Sequence, residues 1–162
     1  MDKPPPNRRK FFSPWDEILY LYNKGMYWLY NRRIHSRSMI YCNRLERLLL
    51  RHANSHESIK GEECWAFLCQ ARGQMREAIR YRKSEIRLRK RLLKMQPLIH
   101  GYKPDNLADS LDMLAMLYHD VGNIKRAIAI LLESRSVSEN AGIPFAGKKL
   151  LMDFTKELTA TQ

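Results

Sequence analysis

The sequence lacks any run of eighteen apolar residues, so it gives no support to a membrane-spanning helix. The opening segment MDKPPPNRRKFF also lacks the apolar stretch of a secretory signal, and we expect a cytoplasmic protein. Cysteine is scarce: Cys42, Cys64 and Cys69 form neither a C-x-x-C pair nor a zinc-binding spacing. We therefore expect reduced thiols packed inside the protein.

Glycine and proline are also few, at seven each in 162 residues, which excludes collagen-like and low-complexity composition. Hydrophobic residues make up 44% of the chain, enough for one core, and the length favours a single domain. Alternating strand patterns are missing, whereas apolar residues recur at helical spacing. The sequence predicts an all-α domain over residues 14–162 behind a mobile, basic, proline-rich arm at residues 1–13.

Recognisable catalytic motifs are absent: there is no phosphate loop, nucleophile elbow or dinucleotide-binding glycine set. His52 and His56 would face one metal ion only if a helix continued between them, so we interpret them as surface histidines. Asp105, Asp109 and Asp112 are interpreted as an acidic helix start that complements the helix dipole. We therefore predict a non-enzymatic protein with no catalytic residue, cofactor or metal.

The charge of the chain is strongly asymmetric. The formal net charge is +12, yet residues 1–95 contain 22 Lys and Arg against 9 Asp and Glu, whereas residues 96–162 contain 7 against 8. Such an excess of positive charge favours an acidic partner, whether a protein, a nucleic acid or an anionic membrane surface.

Helix starts and breaks divide the domain into three hairpins and a terminal helix. Ser13 and Pro14, with Asp16 and Glu17 in the first turn, predict a helix that runs from Pro14 to about Asn31. The predicted hairpins cover about residues 14–53, 57–95 and 105–138, and the terminal helix covers about residues 145–158.

Two of these hairpins turn at similar segments, ARGQMREAIRY around Gly73 and DVGNIKRAIAI around Gly122. Glycine permits a tight connection between helices because it tolerates positive φ. Ala78 and Ala127, each five residues after its glycine, let the second helix approach the first closely.

Around Gly122 the pattern resembles a tetratricopeptide repeat. In that family large apolar residues fill the layers between helices and small residues lie where the paired helices cross. The matching positions here are Leu111, Leu114, Ala115, Tyr118, Ala127 and Leu131. The copy around Gly73 departs from the family at Glu62, Arg82 and Glu85, and the two glycines are 49 residues apart instead of about 34.

The resemblance implies a short right-handed solenoid of antiparallel helical hairpins with a C-terminal capping helix. Its concave face would bind a peptide or a partner protein, and would be lined from the segments 18–29, 62–69 and 107–118. This predicts a protein-interaction adaptor or scaffold.

The segment 76–94 is the most basic in the chain, with nine Lys and Arg against two Glu. Six of its cations recur at spacings of three, four and seven and form one stripe: Arg80, Lys83, Arg87, Lys90, Arg91 and Lys94. A solvated helix face, a site for an acidic protein and a site for nucleic acid are the three interpretations. The alternative function is therefore nucleic-acid binding through the basic helices 32–51 and 76–94.

Two further features leave alternatives open. Arg82, Glu85 and Arg89 are spaced either to form a plain intrahelical ion pair or to line the entrance of a groove. The first hairpin is rich in aromatic residues, which favours core packing, with homodimerisation through this hairpin as the alternative. These aromatic residues are Tyr20, Tyr22, Tyr27, Trp28, Tyr30 and Tyr41.

Overall fold

The computed structural model describes residues 13–52, 58–95 and 104–160, so residues 1–12 of the arm predicted at residues 1–13 lie outside them, as does His56. Every secondary-structure element in the described residues is helical, which confirms the all-α class. None of the described helices is both long and apolar enough to cross a membrane.

Seven α-helices and one π-helical segment form the described chain. Their bounds are α1 Pro14–Met26, π-helix Tyr27–Asn31, α2 His35–Arg51, α3 Ile59–Ala71, α4 Met75–Met95, α5 Pro104–Asp120, α6 Ile124–Ala141 and α7 Lys148–Ala160. The chain divides into two compact units, residues 1–78 and 79–162, so that most of α4 belongs to the second unit.

The start of α1 confirms the predicted cap. The Asp16 backbone N–H donates to Ser13 Oγ at 3.2 Å, and the Ser13 backbone N–H donates to Asp16 Oδ2 at 2.8 Å, a reciprocal capping box. The other end differs from the expected α-helix, because the backbone widens into the π-helix before it reaches α2. Arg33 then takes a positive φ of 53° in the connection.

The first unit packs α1, α2 and α3 around an aromatic core. Tyr22 meets Phe67 edge to face, with ring centroids 5.4 Å apart. Gly25 permits this packing, since a Cβ at this position would lie 2.9 Å from the Phe67 ring. All three cysteines are buried and free of disulfides, as predicted, and burial raises the pKa of the Cys42 thiol.

The aromatic residues of the first hairpin divide between core and surface. Tyr22, Trp28 and Tyr41 are buried, so their rings serve the core. Tyr27 is 41% exposed, and Lys24 Nζ lies 6.0 Å from its ring centroid. Tyr20 and Tyr30 are partly buried, so the aromatic side chains of this hairpin serve the core and also contribute to the surface.

The second unit is built around the α5–α6 hairpin. Gly122 has a positive φ of 79° in the tight turn between them. Gly73, in the first unit, has a similar φ of 73° in the turn before α4. Both glycines therefore adopt the backbone conformation that the sequence predicted for these turns. Ala115 and Ala127 have no exposed surface, and Leu131 is equally buried. The second helix of the pair therefore lies against the first without room for a larger side chain at these positions.

Helix α7 covers the end of this hairpin, and it begins at Lys148, three residues after the predicted start. Phe154 is buried and stacks on the His119 ring, with centroids 4.2 Å apart and an interplanar angle of 3°. The same histidine places Nε2 2.7 Å from Glu157 Oε2. An aromatic stack and a polar contact thus hold α7 against α5.

Candidate binding groove

A groove of about 570 Å³ opens in the second unit, between α4, α5 and α6. Its size is typical of protein ligand sites. The groove has two parts, an apolar floor and a rim that is almost entirely basic.

The apolar floor contains side chains from all three helices: Ile86 from α4, Leu111, Leu114 and Tyr118 from α5, and Ile130 from α6. The α5 residues follow the i, i+3, i+7 spacing that puts side chains on one helix face. They are the same residues that match the tetratricopeptide pattern. The floor is thus the outer surface of the unit's hydrophobic core, to which Ile86 and Ile130 also belong.

The basic rim is supplied mainly by α4. Five of the six residues of the predicted stripe line the groove: Lys83, Arg87, Lys90, Arg91 and Lys94. The sixth, Arg80, is not part of the lining, and its guanidinium instead lies 4.9 Å from the Tyr81 ring centroid. The structure therefore brings most of the stripe to one concave surface.

Helix α6 forms the opposite wall with Arg126 and Glu133, which lie on either side of the floor residue Ile130 along this helix. Glu133 accepts a hydrogen bond from Lys90 across the groove. Within the described part of the chain, no carboxylate lies within ion-pair distance of Lys83, Arg87, Arg91, Lys94 or Arg126. The groove walls therefore carry a large excess of positive charge.

A buried ionic cluster lies on another face of α4. Glu85 accepts from Arg82 Nη1 at 2.5 Å and from Arg89 Nε at 2.6 Å, and the Ser110 hydroxyl of α5 lies 2.7 Å from Glu85 Oε1. Glu85 is fully buried, and Arg82 and Arg89 are 2% and 8% exposed. Of the two alternatives, the intrahelical ion pair is confirmed, and it is buried and extended by Ser110 of a second helix.

Two of the segments predicted to line a concave face differ in how much surface they offer to a partner. Residues of 107–118 supply the groove floor through Leu111, Leu114 and Tyr118. In contrast, the segment 62–69 is almost entirely buried in the first unit, with only Glu63 partly exposed. This segment therefore offers little side-chain surface to a partner, because α3 is enclosed as a core helix.

Several arginines of the alternative nucleic-acid surface on α2 have partners within the first unit. Arg44 pairs with the buried Glu17, with Nε to Oε1 at 2.8 Å. Arg37 Cζ lies 4.6 Å from the Trp28 ring centroid, and Arg47 Nε donates to the Asn43 carbonyl at 3.2 Å. Part of the α2 charge thus stabilises the unit itself.

Other titratable groups form no reactive cluster in the described residues, where no three His, Cys, Asp or Glu side chains gather as metal ligands do. Asp112 is not at a helix start as interpreted from the sequence, because it lies in the middle of α5. Burial raises the pKa of Asp112, and the neighbouring Asp109 raises it further.

The α6 wall is the part of the groove that sequence reasoning missed. Arg126, Ile130 and Glu133 follow the i, i+4, i+7 spacing, so a shared helix face was visible in the sequence. What the sequence did not show is that this face lies opposite α4.

The chain matches no protein-family model, no curated protein sequence and no solved structure. The tetratricopeptide resemblance therefore rests on the residues around Gly73 and Gly122.

Proposed function

We propose that this chain is a non-enzymatic protein-interaction module of tetratricopeptide type, which binds an acidic segment of a partner protein in the groove of its second unit. The observation that carries the proposal is the groove itself, an apolar floor beneath six cations and one carboxylate. An interface of this composition combines apolar burial with electrostatic selection of an acidic partner.

The position of the charges supports binding over a merely solvated helix face. A solvated face would carry its cations on a convex surface, whereas these cations surround a concavity. Charges that line a cleft concentrate the electrostatic potential and speed the arrival of a ligand of opposite sign. The salt bridge between Lys90 and Glu133 leaves the other five cations of the rim available to such a ligand.

The test compares two double charge reversals that are matched in residue type. K83E/K94E changes two exposed lysines of the rim, and K148E/K149E changes two exposed lysines at the start of α7 that do not line the groove. The probe is a fluorescein-labelled acidic peptide measured by fluorescence anisotropy. We expect K83E/K94E to weaken binding at least about tenfold, which corresponds to 1.4 kcal/mol, and K148E/K149E to retain it.

Equal losses in the two variants would show that net charge alone attracts the peptide, and would contradict a role for the groove. A single-stranded RNA oligonucleotide serves as the competing probe. Phosphate binding predicts that affinity falls by about 0.7 log units per log unit of salt for each contact. Tighter binding of RNA than of the peptide at about 150 mM salt, lost equally in R47E/R51E and K83E/K94E, would favour the nucleic-acid function instead.

A further inference from the structure

The shape and chemistry of the groove point to one kind of occupant, and we infer that it is an amphipathic α-helix with acidic residues beside its apolar stripe. This inference rests on the proposed function, since it names the conformation and pattern of the acidic segment. It follows from the length of the groove, the nature of its floor and the distribution of charge between its walls.

The length of the groove corresponds to about three helical turns. Lys83 and Lys94 are roughly 16 Å apart along α4, at about 1.5 Å per residue. Leu111 and Tyr118 are about 10 Å apart along α5 by the same measure. A partner helix of about 11 residues would cover the rim from end to end.

The floor favours a helix over an extended peptide. An extended strand presents backbone N–H and C=O groups to its surroundings, and these groups need hydrogen-bond partners when they are buried. The walls here are helices whose backbone groups are bonded internally, so they offer no edge for strand addition. A helix satisfies its own backbone and presents an apolar stripe at i, i+3, i+4 and i+7, which would lie over the floor, where Tyr118 is the most exposed of five largely buried apolar side chains.

The charge is unequal between the two walls. Helix α4 contributes five cations, whereas the α6 wall carries one cation, Arg126, and one anion, Glu133. Arg126 and Glu133 are two turns apart, so they occupy different positions along this wall. The complementary ligand therefore has its acidic residues along the flank that faces α4 and a neutral or mixed flank facing α6.

The test uses three synthetic peptides of about 18 residues with blocked ends. The first has leucines at i, i+3, i+4 and i+7 with glutamates along one flank of that stripe. The second contains the same residues reordered so that no stripe forms, and the third keeps the stripe but replaces glutamate by lysine. Affinity is measured by calorimetry and helix content by circular dichroism of the mixture against the separate components.

We expect the first peptide to bind at least about tenfold more tightly than the second and to gain helix content on binding. K83E/K94E should reduce its affinity, whereas K148E/K149E should not. Sedimentation of the protein alone is the control for self-association, and the protein is expected to remain monomeric.

The outcomes separate this inference from the proposed function. Equal binding of the first two peptides would overturn the helical occupant and leave acidic-peptide binding in place. Absence of binding by both acidic peptides up to about 1 mM, or equal binding of the lysine peptide, would overturn both. A dimer that dissociates in K83E/K94E would assign the groove to a second copy of the chain and overturn the inference as well.

Discussion

Two faces of α4 in the second unit use the same kinds of residue for opposite purposes. On one face, Arg82 and Arg89 are buried around Glu85. On the other, Lys83, Arg87, Lys90, Arg91 and Lys94 line the groove. Neighbouring positions differ by about 100° around a helix, so one step in sequence moves a cation from the interior to the rim. Charge count alone therefore says little about what a basic helix does.

The largest expected loss of stability comes from removing the negative charge of Glu85, the anion of the buried face of α4. E85Q removes the carboxylate that accepts hydrogen bonds from both arginines in this buried cluster. Loss of one partner from a buried ion pair typically costs about 3–5 kcal/mol. We expect chemical denaturation to show a lower free energy of unfolding by about this amount.

A triple replacement sharpens the same test. R82M/E85M/R89M removes all three charges while it retains side chains of similar length, and such apolar replacement of a buried cluster is often neutral or stabilising. We expect this variant to be more stable than E85Q. A triple variant that unfolds as readily as E85Q would show that shape at these positions, and not charge balance, determines stability.

The next largest loss of stability is expected where α5 and α6 cross. This crossing holds the floor of the groove, mainly from α5, against the wall from α6. Ala127 is fully buried in the α5–α6 hairpin, and A127F would force the two helices apart. Overpacking of this kind typically costs about 1–3 kcal/mol. Thermal melting should show a lower Tm, and an unchanged Tm would mean that the helices do not cross closely at this residue.

A smaller effect is expected for an ion pair of the first unit that remains half exposed. Arg72 donates to Glu46 through both terminal nitrogens, at 2.5 and 2.7 Å, and these bonds lower the pKa of Glu46 below its ordinary value of 4.5. Because the folded pKa is the lower one, the stabilisation is fully present above about pH 4.5 and is lost as pH falls through the folded pKa.

The variant E46Q tests this pair through its pH dependence. We expect a loss of about 0.2–1 kcal/mol at pH 7, as for other exposed pairs, and a smaller difference from the wild type in acid. Denaturation curves at pH 7 and at about pH 3 provide the measurement. A difference that is constant across this range would contradict an electrostatic origin.

The sequence was sufficient for the helices and for much of the groove's basic rim, because both depend on local signals. Ser13, Pro14 and Asp16 define the start of α1 through contacts within four residues, and the rim cations repeat along a single helix. The intrahelical pairing of Arg82, Glu85 and Arg89 was one of the alternatives read from their spacing, but the burial of this cluster and its contact with α5 could not be predicted in this way. Ser110 is 25 residues from Glu85, and only the packing of α5 on α4 brings their side chains together.

The groove shows the same limit. The α5 residues Leu111, Leu114 and Tyr118 were recognised as packing residues, and a binding surface was among the three interpretations of the basic stripe. Nothing in either pattern indicates that the two meet. Their combination depends on the tertiary arrangement of three helices, which brings a core face and a charged face to one cleft.

The central claim is that α4 separates a face for stability from a face for binding, and one double variant tests it most directly. R87E/R91E reverses two exposed cations of the rim and leaves Arg82, Glu85 and Arg89 intact. The account predicts a free energy of unfolding within about 0.5 kcal/mol of the wild type, as for other surface substitutions, together with at least about tenfold weaker binding of the acidic amphipathic peptide. A variant that binds this peptide as the wild type does, or that loses stability to the same extent as E85Q, would contradict it.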